Sequence, residues 1–159
     1  FAKSIANGFP VGATIARPEI ADAWKGLTIS TFGGGPLAMT AAATTIEVMQ
    51  RENTPKRAGE RGRQLRAWLD GFKTQFPLIG DVRGMGLMQA LELVEDRKTK
   101  EPSPKKTVAL MEAAKRHGLL LGKGGLYGNV VRMAPSMLAT AAEIDDGARR
   151  LEKALAEVR

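Results

Sequence analysis

The stretch Ile79-Gly80-Asp81-Val82-Arg83-Gly84-Met85-Gly86-Leu87-Met88-Gln89-Ala90-Leu91-Glu92-Leu93-Val94 decides the fold. It predicts two short strands, 79–83 and 87–94, joined by a turn at Gly84-Met85-Gly86. Upstream, Thr54-Pro55 offers an N-cap hydroxyl followed by proline at the first helical position. The helix it opens carries Leu65, Trp68, Leu69 and Phe72 on one side and Arg and Lys on the other, and Pro77 stops it. Downstream, the charged stretch 95–101 reads as an exposed loop. Ser103-Pro104 then repeats the cap-and-proline signal for a helix ending at Arg116-His117, with Gly118 as its C′ residue. Residues 119–121 and 130–133 are expected as short strands around a glycine-rich loop. Thr140-Ala141-Ala142-Glu143 is a capping box for a last helix whose Ile144, Ala148, Leu151, Leu155 and Val158 share one face.

Toward the other end, Gly33-Gly34-Gly35-Pro36 precedes a helix over 36–50, in which Leu37, Ala41, Thr45 and Val48 recur at helical spacing. Its apolar and small residues predict burial over much of its circumference. Val11-Gly12-Ala13-Thr14-Ile15 reads as a buried strand behind a turn at Asn7-Gly8. Helices alternating with short strands give an α/β architecture. Its expected division is into residues 1–52, the end of a larger domain with an interdomain helix, and residues 53–159, a small domain. The first residues lack an initiator Met and run straight into a Gly- and Pro-punctuated segment, as expected of a cut through a longer polypeptide.

Composition narrows the chemistry. With no cysteine, thiolate metal sites, disulfides and Cys nucleophiles are excluded, and one histidine, His117, gives a His-based metal site little to build on. No metal is expected. The formal charge of +7 raises the question of nucleic acid. The basic residues are, however, interleaved with Glu60, Asp70, Glu143, Asp145 and Asp146, and aromatic residues for base stacking are few. The charge instead suits anionic substrates and a phosphorylated cofactor, with no nucleic acid and no membrane as partner. No apolar run is long enough to span a bilayer, and no secretory signal opens the chain, so cytoplasm is the default compartment.

Four places carry residues suited to chemistry. Lys3 lies among small residues before a turn, and a lysine held out of water can attack a carbonyl to form a Schiff base. Ser30-Thr31-Phe32-Gly33-Gly34-Gly35-Pro36 combines hydroxyls, glycines and a helix N-terminus, the ingredients of a phosphate cradle or of an ordinary flexible cap. Arg132 sits inside the apolar run Val130-Val131-Arg132-Met133, where a guanidinium calls for either a ligand carboxylate or a structural acid. Arg83 is similar, but its place at a turn favours a structural role. Gly122-Lys123-Gly124-Gly125 lacks the spacing of a nucleotide-binding loop.

Taken in order, Ala2-Lys3-Ser4-Ile5-Ala6-Asn7-Gly8-Phe9-Pro10, Ser30 to Ala38, Asp81 to Met88, and Gly122 to Pro135 resemble the class III aminotransferases, enzymes of fold type I that depend on pyridoxal 5'-phosphate. The resemblance covers essentially the whole chain. It implies the end of the large cofactor-binding domain followed by a small C-terminal α/β domain. Lys3 then matches the catalytic lysine that forms the Schiff base. Thr31, beside Ser30, matches the threonine that binds the cofactor phosphate of a neighbouring subunit, and Arg132 matches the arginine that grips the substrate carboxylate. The implied partners are an amino donor, a 2-oxo acid acceptor and a second copy of the chain in a homodimer with shared active sites. Within the family the likeness is to 4-aminobutyrate, β-alanine and alanine–glyoxylate aminotransferases. Gly35 stands where many relatives carry Asn, and Ser136 where a second Pro is frequent. The same scaffold also serves racemases, aminomutases and decarboxylases, and a non-catalytic fragment or paralogue is the remaining alternative.

Overall fold

The computed structural model describes residues 1–158. The chain divides into two compact units, Phe1–Asn53 and Thr54–Arg159.

In the first unit a 3₁₀ turn spans Lys3–Ala6, a single helical turn α1 spans Pro18–Ala21, and α2 spans Pro36–Arg51. α2 starts as its sequence predicts, with Pro36 at the first position behind Gly35. Its burial differs from expectation. None of its residues is buried, and Leu37 is 69% exposed. The Lys3–Ala6 turn packs against it, and Ala6 is the one buried residue among those described in this unit. The expected buried strand at 11–15 does not form either, and Ile15 is exposed. Ala13 exchanges two backbone hydrogen bonds with Phe1, its N–H donating to the Phe1 carbonyl at 2.8 Å and its carbonyl accepting from the terminal amine at 2.7 Å. No second pair extends that contact into a ladder, so apolar β-branched residues alone do not make a strand here.

The second unit builds the core. Its elements are α3 (Thr54–Gln75), β1 (Ile79–Met85), β2 (Met88–Leu93), α4 (Pro104–Arg116), β3 (Gly122–Gly124), β4 (Val130–Met133) and α5 (Ala141–Glu157). The strands form one antiparallel sheet in the order β1-β2-β4-β3. Val82, Leu91, Leu93, Val131 and Met133 on one sheet face join Leu65, Leu69 and Phe72 of α3, Leu110 of α4, and Ile144, Ala148, Leu151 and Leu155 of α5 in a single apolar cluster. The predicted face of α5 is thus the buried one. Its capping box forms as read: the Thr140 hydroxyl accepts from the Glu143 N–H, and the Glu143 carboxylate accepts from the Thr140 N–H.

Two boundaries shift for local reasons. The β1–β2 hairpin turns at Gly86-Leu87, one residue later than expected, because Met85 still pairs with Met88 and Gly86 takes a φ of 53°. Residues 119–121 are not a strand. Gly118, at φ 73°, donates to the Lys115 carbonyl and Leu119 to that of Ala114, the two bonds of a Schellman motif, so Leu119 closes α4 before β3 can begin. Ser103 precedes α4 without capping it; its hydroxyl donates to Glu95 instead. The 95–101 loop is tied back by Arg97, whose guanidinium donates to the carbonyls of Lys73 in the last turn of α3, Phe76 just after it and Ile79 at the start of β1. Gly62 permits a close crossing of α3 over the hairpin: a Cβ there would lie 2.3 Å from the Gly86 carbonyl.

Candidate functional site

The first unit carries Lys3, Ser30 and Thr31. Lys3 opens the 3₁₀ turn with a φ of 65°, a left-handed conformation that costs a residue with a Cβ about 1–3 kcal/mol. Asn7 (φ 47°) and Gly8 (φ 115°) follow, so three positive-φ residues fall within six positions. Asn7 donates its N–H to the Ser4 carbonyl and Phe9 to that of Ala6, which fixes the bend. Backbone strain of this kind clusters at functional sites, and the residue that carries it here is a lysine. Lys3 is exposed, and its amine has no hydrogen bond or ion pair among the described residues. The desolvation expected from its small neighbours is therefore not supplied by this unit.

Ser30 and Thr31 lie together on the turn leading into α2. The Gly33 N–H donates to the Ser30 carbonyl and the Gly35 N–H to that of Phe32, while Gly34 sits at φ 74°. A Cβ on Gly33 would lie 2.8 Å from the Ser30 hydroxyl, so glycine lets that hydroxyl fold over the turn. Neither hydroxyl has a partner among the described residues, and α2 has no side-chain cap. The N–H groups of Leu37 and Ala38 in its first turn also lack an intrahelical acceptor. Free hydroxyls beside free N–H groups at a helix start are the donor set that a phosphate takes. The group implied by the resemblance fits these residues.

Arg132 belongs to the second unit, on the sheet face turned away from the helices. Cross-strand pairing sets it in a row Arg83–Ala90–Arg132–Gly122, beside a second row Asp81–Glu92–Val130–Gly124. Its side chain runs over Gly124, where a Cβ would meet its Cδ at 3.4 Å. Arg132 is exposed and forms no ion pair among the described residues, so the structural acid that was the alternative for it is not found there. An apolar cavity of about 420 Å³ has Arg132 in its lining, with Leu65, Leu121, Pro135 and Ile144.

Arg83, in the same row, is fully engaged. Its Nη1 lies 2.9 Å from Asp81 Oδ2 and 2.5 Å from Glu92 Oε2. Its hydrogen bond holds the Asp81 carboxyl below the usual range, and the two acids together raise the pKa of the guanidinium. The structural role expected for Arg83 is the one observed, although the sequence pattern did not name its acids. The signal was available: Asp81 lies two positions away on the same strand face, and Glu92 follows once the hairpin is registered. The strained φ at Lys3 had no comparable signal. Among the described residues no group of three or more His, Asp or Glu side chains could hold a metal, and no helix is long and apolar enough to cross a membrane.

Comparison with known proteins sets these residues in a family. The "Aminotransferase class-III" family profile matches residues 1–155. A curated relative, alanine–glyoxylate aminotransferase 2 homolog 2 (mitochondrial) of Arabidopsis thaliana, is 41% identical over 145 residues, covering 91% of this chain and 30% of the relative. The fold superposes on a Bacillus anthracis aminotransferase with a TM-score of 0.88 at 34% identity, covering 99% of this chain and 38% of that one. An amine transaminase from an uncultivated Pseudomonas species, solved in a PLP-bound form, gives 0.86 at 31% identity, with 99% and 38% covered. The chain therefore spans about a third of the length of the proteins it matches. With the family profile matched along nearly its whole length, the chain belongs to the class III aminotransferases.

Proposed function

We propose that this chain is the C-terminal part of a pyridoxal-phosphate-dependent aminotransferase that moves an amino group from an amine or amino acid to a 2-oxo acid. In this reading residues 1–52 end the large domain and residues 53–159 form the small one. The observation that carries the reading is the unpartnered Lys3 amine on a strained turn, in a chain of the class III family. Pyridoxal phosphate, when bound, supplies the electron sink that makes the substrate Cα–H acidic. Lys3 Nζ would hold the cofactor through its aldehyde and, when free, would take and return the proton at the substrate Cα. Thr31 would hold the cofactor phosphate through its hydroxyl, with Ser30 beside it on the same turn. By family resemblance that phosphate belongs to a second copy of the chain, so the working unit is a homodimer with shared sites. Arg132 takes the substrate carboxylate through its planar fork, since no acid among the described residues occupies it.

The test is to incubate the holoenzyme with borohydride and map the pyridoxyl group by peptide mass. Label on Lys3 that disappears in Lys3→Ala supports the assignment. Label on another lysine, or none on folded protein, overturns it. Formation of pyridoxamine phosphate with an amino donor alone separates transamination from racemase, aminomutase or decarboxylase chemistry on the same scaffold.

A further inference from the structure

The open face of the sheet holds two arginines and two carboxylates, and their pairing is lopsided. Arg83 and Arg132 lie in one cross-strand row, separated only by Ala90 on β2. Asp81 and Glu92 occupy the adjacent row. Glu92 is on the central strand β2, flanked by β1 with Arg83 and by β4 with Arg132. It pairs directly with Val130 while Arg132 pairs with Ala90, which makes Glu92 and Arg132 diagonal neighbours on one face. Diagonal neighbours across an antiparallel pair lie about 7–8 Å apart, within reach for side chains as long as Glu and Arg. Glu92 could therefore bind either arginine, and in this structure it binds Arg83 at 2.5 Å while Arg132 has no acid among the described residues.

Local features enforce that choice. Arg83 collects two carboxylates on one Nη1, Asp81 at 2.9 Å as well as Glu92, and Lys73 Nζ adds a second positive charge at 3.7 Å from Asp81. The cluster gathers both acids on the β1 side of the face. On the β3 side, Gly122 and Gly124 present only backbone beneath Arg132, so no side chain there competes for its guanidinium.

Resting on the reading of Arg132 as the carboxylate-binding arginine, we infer that Arg83 is a positioning residue for substrate recognition: by holding Glu92 and Asp81 it keeps the neighbouring acid off Arg132 and leaves that guanidinium free for the carboxylate of the substrate. Without Arg83, Glu92 becomes an internal competitor, and a bound carboxylate must displace it. Carboxylate-bearing donors lose affinity, while amines without a carboxylate are unaffected because they do not use Arg132.

The test uses the holoenzyme and three variants, Arg83→Ala, Glu92→Gln and the double variant, with thermal melts run alongside. Two readouts are needed: KM and kcat for a donor with and a donor without a carboxylate, and calorimetric binding of an unreactive alkyl carboxylate. Arg83→Ala is expected to weaken both the carboxylate donor and the alkyl carboxylate about three- to fivefold, the competition an exposed ion pair exerts. The carboxylate-free amine and kcat should stay unchanged, and adding Glu92→Gln should restore binding. Persistent weakness in the double variant, or an equal loss for both donors, overturns the inference. If Arg83→Ala does not fold, Arg83→Gln makes the same comparison with the volume retained. Arg132→Ala separates the two levels: full carboxylate binding in that variant sinks the reading of Arg132 itself, whatever Arg83 does.

Discussion

The two units handle apolar residues in opposite ways. In Thr54–Arg159, Leu69, Leu91, Leu110 and Leu155 are completely buried and belong to one cluster. In Phe1–Asn53, Trp24, Leu27, Ile29 and Phe32 are all at least 70% exposed, and α2 buries nothing fully. Both sequences contain good helix signals. What separates them is whether each apolar stripe meets a second element within its own unit. α5 packs against α3 and α4; α2 packs against the short 3₁₀ turn of its own unit. Secondary structure follows from local chemistry, but a core requires a partner layer.

This contrast is most exposed to a pair of truncations. Leu69→Ala removes a fully buried side chain from the cluster and should cost about 2–5 kcal/mol in urea denaturation. Leu37→Ala, on exposed α2, should change stability by less than about 0.5 kcal/mol. A comparable loss from both would mean that the first unit contributes to the core, and the contrast would fail. The two tryptophans give each unit its own reporter. Trp24 is 70% exposed, whereas Trp68 is half-buried and donates its indole N–H to Asp145 at 2.8 Å. Acrylamide should quench Trp24 first, and Trp68→Phe should remove the blue-shifted, protected component of the emission.

A smaller effect is expected where α3 crosses the hairpin. Gly62→Ala would drive a Cβ to 2.3 Å from the Gly86 carbonyl, and backbone on both sides leaves no flexible side chain to yield. About 1–3 kcal/mol of destabilisation should follow, against the slight stabilisation that alanine gives a solvent-facing helical glycine such as Gly71, which has nothing within 4 Å. Equal responses at the two sites would show that the crossing is looser than its distances imply. Next in size, Thr140→Ala removes the α5 capping box and should cost about 1 kcal/mol.

Legibility in the sequence divides along the same line. The helix starts at Pro36, Pro104 and Thr140, the hairpin, and the buried face of α5 were readable because each depends on neighbours within a few residues or on a strict period. The burial of α2 and of 11–15 was not readable, because periodicity says which face would be buried and nothing about what covers it. Among the site residues, Arg132 stood out as a charge in an apolar strand, and the glycine turn at Ser30-Thr31 as a hydroxyl-rich helix start. Neither the partition of Glu92 between two arginines nor the strain at Lys3 was visible. The first needs the hairpin register, and the second needs a φ angle that composition does not encode.

The weakest expected effect concerns acid. Asp145 joins α5 to α3 by accepting hydrogen bonds from Trp68 Nε1 at 2.8 Å and Gln64 Nε2 at 2.7 Å. The Trp68 bond first, then the Gln64 bond, holds its carboxyl below the usual aspartate value. A carboxylate whose pKa is lowered by folding stabilises the protein above its unfolded value, about 3.9, and loses that contribution as pH falls through the folded one. Melting temperature should therefore decline on going below about pH 4, and Asp145→Asn should flatten that decline. Trp68 emission should shift over the same interval, since protonation disturbs the acceptor of its own hydrogen bond, while Trp24, bonded to Thr28, should stay constant. If the two tryptophans responded together, the change would not be local to the Trp68–Asp145 hydrogen bond, and assigning the acid response to that carboxylate would have to be given up.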